Sequence, residues 1–157
     1  MYKNIIKYLI IVMSIIGLTG VVQGDVPVWD KTYGGSGNEN AASFQKTSDG
    51  GYIIVGTTFT YGAGSSDIWL LKTDSNGTRL WDKTFGGGND EFGASAMQTS
   101  DGGYIIAGTT FSYGEGGFDI LLIRTDSEGN RQWDRTYGGK DNEDATSILQ
   151  ISDGSDI

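Results

Sequence analysis

Thr47-Ser48-Asp49-Gly50-Gly51-Tyr52-Ile53-Ile54 returns letter for letter at Thr99 to Ile106, and a third copy starts at Ile151-Ser152-Asp153-Gly154. This stretch makes the chain a repeat protein. Asp-Gly between two alternating apolar runs signals a two-residue hairpin, and a type I′ turn needs φ > 0 at both central residues. Gly adopts that freely and Asp tolerates it. Each copy therefore marks a β-hairpin, with Asp49-Gly50 and Asp101-Gly102 predicted at the tips.

Outward from this stretch, Trp29, Trp81 and Trp133 recur every 52 residues, and residues 29–80 align with 81–132 without a gap at 32 identical positions. A third copy opens as Trp133-Asp134-Arg135-Thr136-Tyr137-Gly138-Gly139 and runs over 133–157. Alternation and turns divide the first copy into four strand-like runs, about Ala41 to Thr47, Tyr52 to Phe59, Asp67 to Thr73 and Thr78 to Phe85. The third, Ile68-Trp69-Leu70-Leu71, is apolar on both faces, which places it between two neighbouring sheets. Along the fourth, Trp81, Lys83 and Phe85 share one face and Leu80, Asp82 and Thr84 the other. Asn76-Gly77 and Glu128-Gly129 supply a second tight turn per copy.

Four antiparallel strands in ~50 residues is the size of a β-propeller blade, because one such sheet cannot bury both faces alone and stacking covers each with its neighbour. The fold class is all-β, with two full blades plus flanking strands at Val28 to Tyr33 and after Gly139. The motifs Trp-Asp-Lys-Thr-Tyr/Phe-Gly-Gly, Thr-Ser-Asp-Gly-Gly-Tyr-Ile-Ile and Asp-Ile-x-Leu-x-Lys/Arg-Thr-Asp-Ser-x-Gly resemble the secreted β-propeller repeats of prokaryotic cell-surface proteins, over about Val28 to Gly154. Propellers close with ~4–8 blades, so the resemblance implies either a truncated relative, the favoured expectation, or a ring completed by self-association or by a complementary repeat chain.

Residues 1–24 differ from the rest. Lys3 and Lys7 precede an apolar run from Tyr8 to Val22, and a small residue, Gly24, stands at a possible cleavage point. This is the plan of a secretory signal helix, with the exported domain beginning near Asp25 as residues 25–157. An uncleaved anchor would be the chain's only contact with a membrane, and a span needs ~20 apolar residues.

From Asp25 onward 9 basic side chains face 20 acidic ones, a net of −11. That balance opposes nucleic acid and anionic membranes, which require clustered Lys and Arg. The chain has no Cys and no His, so thiol nucleophiles, Cys/His zinc sites and imidazole bases are excluded. No paired acid and base stand apart from the repeat, and the chain is expected to be non-enzymatic and to need no cofactor.

Two loop sets carry candidate sites. The acidic loops contain Glu39, Asp90, Glu91 and Glu143, hard oxygen donors suited to Ca²⁺, although their spacing is not that of an EF-hand. A polar turn closed by an Asx bond to the following backbone is the favoured alternative. The other loops pair Tyr61 with Asp67 and Tyr113 with Asp119, an aromatic ring and an acceptor that could hold a sugar. Against this stands packing of each Tyr on the next blade and capping of the turn by each Asp. The repeated Trp is expected to pack between blades beside a cross-strand ion pair. The resemblance implies a secreted or cell-surface protein with a structural or binding role, its partners a carbohydrate or a surface protein, with a lectin-like module as the alternative and a hydrolase or lyase less favoured.

Overall fold

A computed structural model describes residues 29–149. The expected signal helix and the third Ser-Asp-Gly lie outside the described residues. Eight strands follow in order: β1 Glu39–Lys46, β2 Tyr52–Thr58, β3 Asp67–Thr73, β4 Arg79–Phe85, β5 Glu91–Gln98, β6 Tyr104–Thr110, β7 Asp119–Thr125 and β8 Arg131–Tyr137. They form two four-stranded antiparallel sheets, β1-β2-β3-β4 and β5-β6-β7-β8. No helix occurs among the described residues.

The two sheets share one register. Ile54 pairs with Leu71 in the first and Ile106 with Ile123 in the second, 52 residues on. A bulge interrupts the first strand of each sheet at the same place, between Ala41 and Ser43 and between Gly93 and Ser95. Such bulges bend a strand and raise its twist.

The sheets stack face to face. Ile53, Val55, Ile68 and Leu70 of the first meet Tyr104, Ile106, Leu121 and Ile123 of the second in one core, with Phe85 and Ala96 at its edge. Trp81 leaves β4 to pack edge-on against Tyr104 at 5.7 Å. The expected inter-sheet role of this Trp is thereby met. On the opposite face of the first sheet, Tyr33 covers Ile54, Trp69 and Leu71, and Trp29 meets Tyr52 as Trp81 meets Tyr104. β3 is consequently buried along its whole length.

Four expectations are corrected. The Asp-Gly turns are not type I′, because no residue other than Gly has positive φ, and Gly50 (86°) and Gly102 (88°) stand alone in that region. Gly50 N–H donates to Thr47 O and Thr47 N–H to Gly51 O, each at 2.9 Å. The tip is therefore a three-residue loop in which a type I turn is followed by a left-handed Gly. Asp74 to Thr78 repeats the arrangement with Gly77 at 73°. Residues 29–33 form no strand, since no third strand precedes them among the described residues to offer a ladder. Residues 142–149 form none either, since no strand stands among the described residues to pair with them as β2 pairs with β1. The ion pairs beside the repeated Trp run along one strand, Arg79 to Asp82 at 3.4 Å and Arg131 to Asp134 at 3.1 Å, rather than across strands.

Candidate functional site

Antiparallel order sends the Asp-Gly turns to one end of the sheets and the Tyr loops and acidic loops together to the other. At the turn end, a buried cation rises from each third strand. Lys72, 4% exposed, bonds Asp49 at 2.8 Å, and Arg124, 8% exposed, bonds Asp101 at 2.6 Å. Each Asp also accepts its own Thr hydroxyl and the N–H of the second Gly. The Lys72 bond, with that of Thr47, holds the Asp49 carboxyl down to about 2, while Thr99 and then Arg124 hold Asp101 at about 2. Burial, with the nearby Asp49 charge, pushes the Tyr104 hydroxyl up to about 12. Sequence reasoning missed this clamp. Its signal was a single basic residue at the end of an apolar run, Lys72 after Ile68–Leu71 and Arg124 after Ile120–Ile123, repeated in each copy.

At the other end, Glu39, Glu91 and Glu143 play one part. Each accepts the N–H of the second Gly of its Gly-Gly pair, Gly35 at 3.3 Å, Gly87 at 2.7 Å and Gly139 at 3.0 Å. Glu91 is fully buried and also takes Thr110 Oγ1 at 2.7 Å and Ser112 N at 3.1 Å. Glu39 likewise accepts the hydroxyls of Thr58 and Thr60. The favoured Asx bond to following backbone is not what these loops make: the Glu carboxylates reach back four residues, and Asp90 accepts Ser66 Oγ at 2.9 Å from the preceding loop.

Tyr61 packs on Trp69 of its own sheet at 5.9 Å and donates to Gly34 O at 3.2 Å, so it does not reach the following sheet. Tyr113 donates to Gly86 O at 2.9 Å. Tyr61 and Tyr113 stay 38% and 40% exposed. Asp67 is 1% exposed and caps its loop by accepting Gly64 N at 3.1 Å. Asp119, equally buried, makes no such bond, and its Oδ2 has no partner.

The structure brings together acids that the sequence placed in separate groups. A Cβ on Gly86 would overlap both Asp67 Oδ1 and Glu91 Oε2, and one on Gly138 would overlap both Asp119 Oδ1 and Glu143 Oε2. Each pair of carboxylates thus faces across a glycine. Among the described residues no group of three or more Asp, Glu, His or Cys gathers where a metal ion could sit.

Beyond the second sheet lies a cavity of about 660 Å³ lined by Met97, Ile105, Ile120 and Leu122 and partly roofed by residues 144–149. It occupies the face equivalent to the one that the second sheet covers on the first. Beside the Tyr113 loop, Phe118 gathers Phe111 at 5.1 Å and Phe92 at 5.9 Å into a half-exposed aromatic cluster.

Fold and site define an all-β protein of repeated four-stranded sheets. No family model matches the chain. A regulatory protein, FlaEY of Caulobacter vibrioides, is 30% identical over 104 residues, which is 58% of this chain and 11% of that protein. The chain thus spans about a tenth of the length of the curated relative it matches.

Proposed function

We propose that the chain is an exported, cell-surface or extracellular repeat protein whose sheets are β-propeller blades, acting without catalysis as a structural or binding module. The observation that carries this reading is the repeated joint between sheets. Glu91 N–H donates to Ser66 O at 2.9 Å, and Glu143 N–H to Phe118 O at 2.7 Å. Gly93 N–H donates to Thr57 Oγ1 and Ala145 N–H to Thr109 Oγ1, both at 3.2 Å. Whatever follows the second sheet is thus seated as the second sheet is seated on the first, which is how radially stacked blades propagate.

The cavity on the far face of the second sheet supports self-association or docking of a complementary repeat chain, because it exposes apolar side chains that the first copy buries. The apolar leader and the acidic domain support export. Expression of the full chain in a bacterium, followed by surface proteolysis and N-terminal sequencing, tests the reading. Protein on the surface or in the medium that begins near Asp25 is expected; intracellular protein that still begins at Met1 refutes it.

The aromatic cluster favours a second reading, a lectin-like module. Phe92 and Phe118 stand where the first copy has Asn40 and Ser66, and flat rings beside hydroxyl and amide groups suit a sugar face. Binding on a glycan array that Tyr113→Ala and Tyr61→Ala weaken would support it, and a silent array counts against it.

A further inference from the structure

We propose that Asp119 and Glu143 form a site for a hard divalent cation of the Ca²⁺ class, at the joint between the second sheet and the segment that follows it. Asp119 is 1% exposed, and its Oδ2 has no hydrogen-bond partner. A buried, unpaired carboxylate is costly unless a counter-charge meets it. The four ion pairs among the described residues engage Asp49, Asp82, Asp101 and Asp134. None reaches Asp119 or Glu143.

The matching joint one copy earlier shows what is different here. There Glu91 Oε1 is occupied by Thr110 and Ser112, and Asp67 Oδ2 by the N–H of Gly64. In the second copy Gly116 replaces Gly64 at φ 94° and donates nothing to Asp119. Among the described residues Glu143 accepts only Gly139 N–H, on Oε2. Asp119 Oδ1 faces Glu143 Oε2 across Gly138, which keeps the space between the two carboxylates open where any side chain would fill it, while Asp119 Oδ2 lies beside Gly114 and Glu143 Oε1 accepts no hydrogen bond from the described residues.

Carboxylate oxygens with no imidazole or thiolate nearby select a hard ion, and Ca²⁺ tolerates irregular geometry with water completing its shell, whereas Mg²⁺ demands a near-ideal octahedron. Two protein carboxylates give weak binding, with a dissociation constant of about 10⁻⁴ to 10⁻³ M, as in extracellular modules. The ion would tie the segment after Gly138 to the loop before β7.

The test is calorimetric titration of the EDTA-stripped full chain with CaCl₂, alongside thermal melting in EDTA and in Ca²⁺. One saturable site and a raised melting point are expected, with at least ~10-fold weaker binding in Asp119→Asn and unchanged binding in Asp67→Asn. Circular dichroism in EDTA checks that Asp119→Asn folds, and Glu143→Gln, at a partly exposed side chain, gives the same reading if it does not. The proposal is overturned by absence of binding at about 10 mM Ca²⁺ or by undiminished binding in both Asp119→Asn and Glu143→Gln. It is equally overturned if acidification in EDTA reproduces the whole stabilisation and Ca²⁺ adds nothing.

Discussion

The two sheets are near copies in sequence and register, yet they are not equally buried. Leu70 has no exposed surface, while Leu122 at the matching position is partly open; Phe85 is buried, while Tyr137 is 47% exposed. The central strands β2 and β3 of the first sheet are covered on both faces, by the second sheet on one and by Trp29 and Tyr33 on the other, whereas the second sheet has a full sheet on only one. The difference shows that burial here belongs to the stack and not to the strand. An identical apolar strand is core or surface according to what stands beside it.

The largest effect expected from this contrast lies at its centre. Leu70→Ala removes a side chain enclosed by both sheets and should cost about 2–5 kcal/mol in urea unfolding. Leu122→Ala should cost under about 1 kcal/mol. Equal costs would mean that the far face of the second sheet is also covered in solution, as by a second copy, and light scattering on the same samples would show it.

Next in size is the glycine between the carboxylates. Gly86→Ala forces a methyl onto two buried acids and should cost about 1–3 kcal/mol. Gly138→Ala should cost less, since Glu143 is partly exposed and swings aside. A reversed order of melting points would contradict the closed first joint and the open second one.

The Asp–cation clamps should behave alike, because each lies within a single sheet. Asp49→Asn and Asp101→Asn should each cost about 1 kcal/mol, and by similar amounts, since both Asp side chains are more than half exposed and screened by solvent. A marked difference in unfolding midpoints would show that the neighbouring sheet contributes to one clamp.

The smallest effect is on pH dependence. Both carboxyls sit at about 2 in the folded chain against an ordinary 3.8. A depressed carboxyl stabilises above its unfolded value and loses that contribution as pH falls from there through its folded value. Urea midpoints should therefore be insensitive to these groups above about pH 5 and decline between about pH 4 and 2. Lys72→Met should shallow the decline, and an unchanged slope in that variant would remove the Lys72 clamp as its cause.

Most of the strand plan was legible in the residues, because alternation, the recurring Trp and the Asp-Gly tips fix period and phase together. All eight strand positions fall within about two residues of the alternating runs. The turn type was not legible. Asp-Gly serves both a two-residue type I′ turn and the tail of a type I turn, and only the Thr47 to Gly51 pairing distinguishes them. The flanking strands were misread because Trp29 to Tyr33 has strand-like alternation, while a strand requires a partner that local pattern cannot supply.

The carboxylate pairs escaped notice for a related reason. Asp67 and Glu91 belong to different sheets, and Asp119 lies in the second sheet while Glu143 lies in the segment after it, so each pair meets only once the parts are stacked. Their trace in the sequence was a spacing of 24 residues, kept from Asp67 to Glu91 and from Asp119 to Glu143. The loop tyrosines were legible as exposed rings, but their hydroxyl partners, Gly34 O and Gly86 O, lie in the segments leading into each sheet.

The joint that links Gly93 to Thr57 and Ala145 to Thr109 has an evolutionary consequence. Each 52-residue unit carries a hydroxyl socket on one side and an amide plug on the other, so a tandem duplication inserts a part whose couplings already fit. Array length can then change by whole units through unequal recombination, with no compensating substitution at the seams.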